Sequence, residues 1–279
     1  YYYEQAVANP NPVVSVLIAM VCAILCAAFG ALIYSVLTIT LRANQNVTGL
    51  ALTIFGTGFA NFLGEAIGNT APSRYMAVGN VTKNAFNSGI PGLQDLPVVG
   101  KLLFSYNFMV YLGIILAIVL AWFLGRSRAG LNLRSVGESP ATADAAGISV
   151  TRYKYLATCL GAGISGLGGL YYVLDYNQGI WATTTQIEAL GWLAVALVIF
   201  TTWKPLNAIW GSYLFGLLYW LYQFMPTLMG ISVPGYVTDL IQMVPYLVTI
   251  VVLVVTSLRK KRENQPPASL GLAYFREER

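Results

Sequence analysis

The sequence predicts an all-α protein, a polytopic integral membrane helical bundle. Three observations carry this. Of 279 residues, 57% are hydrophobic and only 10% are charged, against about a quarter in a soluble domain. Uncharged apolar runs recur along the chain, and about 20 such residues suffice for a helix to cross the hydrocarbon core. The runs lack the period-two alternation of a membrane barrel, and lipid offers backbone N–H and C=O groups no partner outside their own segment, so the runs must be helical.

Seven segments follow in order, at 13–41, 50–68, 106–125, 155–175, 189–203, 208–229 and 237–258. The first has no basic residue ahead of it and is too long for a cleaved leader, so a tilted or extended span is expected. The fifth is short and follows YNQGIWATTTQIEAL at 176–190, a polar yet aromatic stretch that suits a partly re-entrant or broken helix. Between the second and third, PGLQDLPVVGKLLF at 91–104 spaces its leucines and valines for a helix lying on the bilayer surface. In the seventh, Pro245 predicts a kink, with Asp239 and Gln242 near its start. A transmembrane domain over 1–258 and a basic, extended tail over 259–279 are therefore expected, with RKKR at 259–262 suited to anionic lipid. The chain opens on Tyr1 with no Met, and the odd number of segments leads to the expectation that an N-terminal span is missing.

Charge sets the orientation. With the tail in the cytoplasm, alternation puts all but three of the 16 Lys and Arg residues on that side, the exceptions being Arg74, Lys83 and Lys101. The loop at 126–154 then also faces the cytoplasm. This placement accounts for the net charge of +5 without nucleic acid, since the basic residues form no cluster on a soluble module. The chain has no His and three Cys, so the commonest general base and metal ligand are missing. Cys22 and Cys26 share a helical face and read as small buried apolar groups. No GxxxxGK[ST] occurs, so the chain is not expected to bind ATP itself.

The cytoplasmic loop carries the sharpest local signal, LNLRSVGESPATADAAGISVTRYKY at 131–155. Ser139 can accept a free amide proton and Pro140 has none to leave unpaired, which starts a helix. Ala141, Ala143, Ala145 and Ala146 continue it, and Gly147 can take the left-handed conformation that ends it about two turns later. Arg134 and Glu138 flank this helix and Asp144 lies on it, so it could dock in a groove of a soluble partner, but from pattern alone a loop helix lying on the headgroups is the commoner case, since any ordered loop needs caps.

In the second segment Thr53, Thr57, Asn61 and Glu65 recur every four residues and form one drifting polar stripe. Gly56, Ala60, Gly64 and Gly68 run beside it. Polar groups beside small residues serve either as glue between helices or as the lining of a solvated path. For the path, Asn61 is the preferred donor and acceptor, whereas Glu65 reads as interfacial. Ala157, Gly161, Ser165 and Gly169 predict a helix-contact face in the fourth segment. Trp210, Tyr213, Trp220 and Phe224 predict a lipid-facing or packed aromatic face in the sixth.

The run GESPATADAAGISVTRYKY at 137–155 resembles the coupling loop of ABC importer permease subunits of the ribose and branched-chain amino acid type. It is most similar to the nucleoside-uptake branch with its GENPxAAxxAGI pattern. LRANQNVTGLALT at 41–53, DLPVVGKLLF at 95–104, VIFTTWKPLNAIWG at 198–211, QMVPYLVTIVVLV at 242–254 and LGLAYFREER at 270–279 fall in the family's order. The family's first helix and its early glycine/glutamate motif are not found. Ser139 replaces the usual Asn, and Thr201 and Thr202 stand where the family more often has a glycine.

The resemblance implies a transport subunit, not an enzyme, in a bacterial cytoplasmic (inner) membrane. It implies inward movement of a small polar solute, foremost purine or pyrimidine nucleosides, with a sugar or branched-chain amino acid as the alternative cargo. A self-contained secondary transporter is a different class, and it predicts inverted repeats and mid-depth charge that the sequence does not display. Gly137, Glu138, Ala143, Ala146 and Gly147 match the motif that meets the ATPase, and with Arg134 and Ser139 they form the expected coupling set. Thr53, Thr57 and Asn61 form the expected substrate path. The implied partners are a cytoplasmic ATPase subunit carrying ATP and Mg, a second, different permease chain, an external substrate-binding lipoprotein and membrane lipid. No cofactor is expected on this chain. Tyr171, Tyr172, Tyr176 and Trp181 form an aromatic belt or, given a nucleoside cargo, stack a base.

Overall fold

A computed structural model describes residues 2–7, 9–71, 76–87, 105–181, 185–229, 237, 243–259 and 265–275. Its helices are α1 (Tyr2–Ala6), α2 (Pro12–Ser35), α3 (Gln45–Thr70), α4 (Asn80–Asn87), α5 (Phe108–Arg126), α6 (Arg128–Glu138), α7 (Pro140–Ala145), α8 (Val150–Tyr171), α9 (Thr185–Phe200), α10 (Pro205–Met229) and α11 (Val244–Arg259). The π-helical turns Val36–Thr40 and Tyr172–Tyr176 prolong α2 and α8. Among the described residues there is no sheet, only an antiparallel bridge between Ala77 and Ile180.

Among the described residues each predicted segment overlaps a helix, the fifth ending at Phe200 and the seventh beginning at Val244. Four stretches among the described residues are long and apolar enough to cross a bilayer: Pro12–Thr40, Gln45–Thr70, Phe108–Arg126 and Val150–Tyr176. The polar stretch before α9 is non-helical at Asn177–Trp181, because the π-helical turn Tyr172–Tyr176 is followed by a left-handed Gln178 (φ 55) that breaks the ladder. Pro245 is the second residue of α11 and sits in its first turn, so it starts that helix instead of kinking it. The surface helix expected at 91–104, Asp239, Gln242 and the basic run at 260–262 lie outside the described residues.

The chain divides into two compact units. One comprises Tyr1–Gly113, Ser135–Ile187 and Gly271–Arg279, the other Ile114–Arg134 and Glu188–Leu270.

In the first unit α2 and α8 make the most extensive helix pair. Asn11 caps α2 by accepting from Val13 N–H at 3.1 Å, and Asn44 caps α3 by accepting from Asn46 and Val47 N–H. Close approach of α8 to α2 depends on Gly166, where a Cβ would come within 2.7 Å of Ala23 O and Ala27 Cβ, and on Gly163 beside Ile24. The expected contact face is thereby corrected: Gly161 and Gly169 have open space beside them and Ser165 is exposed. Cys22 and Cys26 are likewise exposed rather than buried. Val16, Phe86, Met109, Leu167 and Leu174 form the core of this unit, with Phe86 edge-on to Phe108 at 5.4 Å. The helix α4, absent from the sequence prediction, is held by Glu4, whose carboxylate accepts from Gly79 N–H, Thr82 N–H and Thr82 Oγ1. A carboxylate at a helix N-terminus satisfies orphan donors and complements the dipole.

In the second unit α10 packs on α11. The turn from α9 to α10 places Thr202 (φ 54) and Trp203 (φ 55) in the left-handed region. Each costs about 1–2 kcal/mol relative to glycine there. That cost explains physically why glycine suits this turn. Asn207 Nδ2 donates to Thr201 O at 3.3 Å, and Phe200 meets Phe215 edge-on at 5.2 Å. Trp210, Tyr213, Trp220 and Phe224 are all exposed on α10.

Candidate functional site

The site is built first from three short connections. Ser127 starts α6: its Oγ accepts from Gly130 N–H at 2.9 Å and donates to Phe123 O at 2.7 Å. Ser139 then ends one helix and begins the next. Its backbone is extended (φ −149, ψ 90), and its Oγ accepts from Thr142 N–H at 3.4 Å and lies 2.7 Å from Thr142 Oγ1. Gly147 closes α7 at φ 83. Gly147 N–H donates to Asp144 O and Ile148 N–H donates to Ala143 O, both at 3.0 Å. These paired bonds form a Schellman closure, with Ile148 packing back toward Ala143 as that motif requires.

Burial sorts the expected coupling residues. Val136, Ala143 and Val150 are 2%, 1% and 3% exposed and make a small core, with Ile148, Tyr153 and Tyr274 around it. Ala143 therefore points inward and anchors α7, so its side chain does not belong to an outward face. Arg134, Glu138, Ala146 and Gly147 are exposed, together with Ala141, Thr142 and Ala145. Gly137 and Ser139 are half-buried. What α7 presents is a run of methyl groups, one hydroxyl and a glycine. Such a face lets another backbone approach closely and has little side-chain entropy to lose on contact.

A second set of expected residues lies on α3. Thr53, Thr57 and Asn61 all fall on its half-buried face, while Glu65 is exposed and leaves the stripe. Thr53 Oγ1 donates back to Gly49 O at 2.9 Å. Of the small row, Gly64 and Gly68 are buried and Gly56 stands in open space. The indole of Trp181 lies directly against Gly64. Trp181 is brought there by a short ladder in which its N–H donates to Met76 O and Val78 N–H donates to Gly179 O, each at 2.8 Å. Sequence reading placed Trp181 in a generic aromatic belt, although a glycine in a small-residue row is where an indole can sit. Tyr172 stacks on Tyr176 at 5.2 Å.

The two sets are not brought together. Asn61 lies about 24 Å along the axis from Gln45 at the foot of α3, at 1.5 Å per residue. The α3 stripe offers neutral hydrogen-bonding groups beside the indole of Trp181.

The family described as branched-chain amino acid transport system, permease component, matches residues 2–253. The chain is 33% identical over 237 residues to the nucleoside ABC transporter permease protein NupC of Lactococcus lactis, covering 81% of this chain and 70% of that one. It is 33% identical over 223 residues to the guanosine ABC transporter permease protein NupQ of Bacillus subtilis, covering 77% and 64%. Over 193 residues it is 35% identical to the putative glucose ABC transporter permease protein TsgC13 of Haloferax volcanii, covering 67% and 55%. The chain thus spans between 55% and 70% of the length of these relatives. No solved structure matches it. With a match over residues 2–253 and helices long and apolar enough to cross a bilayer, the chain belongs to the ABC permease family of the branched-chain amino acid transport type and is embedded in the membrane.

Proposed function

We propose that this chain is a translocation subunit of an ATP-driven importer that moves nucleosides across the bacterial cytoplasmic membrane into the cell. The observation that carries the reading is α7, a helix capped at both ends within its own loop, anchored by Ala143 and presenting a small, exposed face. In the proposed arrangement α2, α3, α5, α8, α9, α10 and α11 span the membrane, with α7 and the C-terminal tail in the cytoplasm. Arg134, Gly137, Glu138, Ser139, Ala146 and Gly147 form the surface that meets an ATPase subunit, and Ala143 holds that surface in place. ATP and Mg2+ belong to that partner. Closure of two ATPase domains shifts α7 and biases the path between outward and inward openings. A second, different permease chain completes the path, and an external lipoprotein supplies solute.

The cargo reading is supported by the names of the nucleoside and guanosine relatives and by the neutral stripe Thr53, Thr57, Asn61. A nucleoside has a flat base and a hydroxylated sugar, which neutral donors and aromatic faces accommodate. Sugar is the second reading, favoured by 35% identity to the putative glucose permease. The test is uptake of labelled nucleosides, glucose, ribose and leucine by membranes bearing the whole complex. Saturable nucleoside uptake, competed by unlabelled nucleosides alone, is expected; saturable sugar or leucine uptake without nucleoside competition overturns the cargo. Orientation is tested in intact cells by cysteines at Asn84, Thr142 and Gln265: the first labels from outside, the others only after the membrane is opened.

A further inference from the structure

Residues 271–275 lie far along the chain from α7 yet fold back onto its base. Gly271 (φ 78) turns the chain. The carbonyl of Leu272 then accepts from Gln45 Nε2 and from Lys154 Nζ, each at 3.4 Å. The phenol of Tyr274 donates to Asp144 Oδ2 at 3.0 Å, and its ring packs beside the Val136–Ala143–Val150 core. Phe275 lies 4.6 Å under the guanidinium of Arg42, in the turn from α2 to α3. A small cleft lined by Thr38, Gln45, Val150, Lys154 and Tyr274 marks the meeting point.

From this convergence we propose that residues 271–275 act as a transmission strap, with Tyr274 as the positioning residue that ties α7 to the foot of α3. The inference rests on the reading of α7 as the coupling helix. The core at α7 is small, Val136, Ala143 and Val150 with Ile148, Tyr153 and Tyr274 packed against it, so the Tyr274 ring is a large part of what holds this six-residue helix. Tyr274 adds an aromatic ring and a hydrogen bond to a carboxylate, the stronger kind. The same five residues hold Gln45, the first residue of α3. A helix is a stiff rod, so a shift of α7 that drags the strap tilts α3 and displaces Thr53, Thr57 and Asn61 further up. Without the strap, α7 still docks on its partner, but its motion no longer reaches the path.

The experiment reconstitutes the full complex, with ATPase and lipoprotein, in proteoliposomes and measures solute moved per ATP hydrolysed. Co-purification of the ATPase reports assembly. The variants are Tyr274→Phe, Tyr274→Ala, a chain ended after Leu270, and Gly147→Val as a control on the coupling helix itself. Tyr274→Ala and the shortened chain are expected to keep the ATPase bound while solute per ATP falls about tenfold. Tyr274→Phe, which keeps the ring and loses one hydrogen bond, falls about threefold to fivefold. Tyr274→Phe combined with Gln45→Leu, which removes the donor to Leu272, loses less than the two separate effects together, since both act through one strap. A normal ratio in both Tyr274 variants while Gly147→Val uncouples overturns the strap and leaves the coupling helix standing. Normal ratios in all of them overturn both. If the shortened chain does not assemble, Tyr274→Phe decides, because it removes only one oxygen.

Discussion

The indole of Trp181 rests on the Cα of Gly64, one helical turn beyond Asn61 on α3. A Cβ at position 64 would overlap the indole ring, so an aromatic side chain closes one end of the polar stripe by occupying space that only glycine leaves. Gly64→Ala is therefore expected to push the indole out and to destabilise the protein by about 1–3 kcal/mol through overpacking. Trp181→Ala in the same chain should recover stability beyond the sum of the two separate effects. Thermal inactivation in detergent for the single and double variants checks this. A Gly64→Ala chain as stable as the parent shows that the indole does not need this seat.

Asn61 sits on the same half-buried face of α3 as Thr53 and Thr57, the face along which the proposed path runs. Asn61→Leu is expected to lower nucleoside uptake about tenfold, the effect of losing a hydrogen-bonding group and gaining a desolvating one, while the ATPase still co-purifies. Unchanged uptake returns the stripe to a role in bonding helices together.

The closure of α7 makes a sharper case. Gly147 holds φ 83, a conformation that costs a β-branched residue more than the usual 1–2 kcal/mol for an L residue, roughly enough to unwind a two-turn helix. Gly147→Val should depress transport and remove the solute stimulation of ATP hydrolysis while unstimulated hydrolysis continues, so that solute moved per ATP falls, with insertion intact. Glu138→Lys reverses a charge on the exposed approach to the same helix and should weaken ATPase binding, most visibly at low salt. Normal transport by both variants in an assembled complex makes the loop a structural element only.

On α8, two glycines five residues apart behave oppositely. Gly166 is against Ala23 and Ala27, while Gly161 faces open space. Gly166→Leu should separate α8 from α2 and abolish stable expression. Gly161→Ala should be neutral or stabilising by up to about 1 kcal/mol, as glycine replacement in a helix interior usually is. Expression level and thermal stability of the two variants decide it, and equal behaviour contradicts the packing described.

The caps of α7 are legible because each is local. Ser139 reaches Thr142, and Gly147 reaches Asp144, within a few residues whose types nearly dictate the geometry. The same local signal, Ser127 with Gly130 three residues on, begins α6, but a stretch carrying Arg126, Arg128 and Arg134 after an apolar segment reads equally as loop. Glu4 as the cap of α4 carries no local signal, since its acceptor role depends on a residue 78 positions away.

The sequence alone determined that the chain is helical and belongs in a membrane, because lipid leaves the backbone no other way to satisfy itself and the apolar runs have the needed length. It also determined where α7 begins and ends. Only the tertiary structure decided which faces are inside. Along α8 several small faces are available, at Gly161, Ser165 and Gly169 as well as at Gly163 and Gly166, and composition cannot choose among them; the shape of α2 does. Ala143 and Ala146 are chemically identical in sequence, yet one is core and the other surface, because rotation of a helix about its axis is set by what it packs on. The bond from Tyr274 to Asp144 spans 130 residues, and a contact of that separation is fixed by where the whole chain returns, not by the residues at either end.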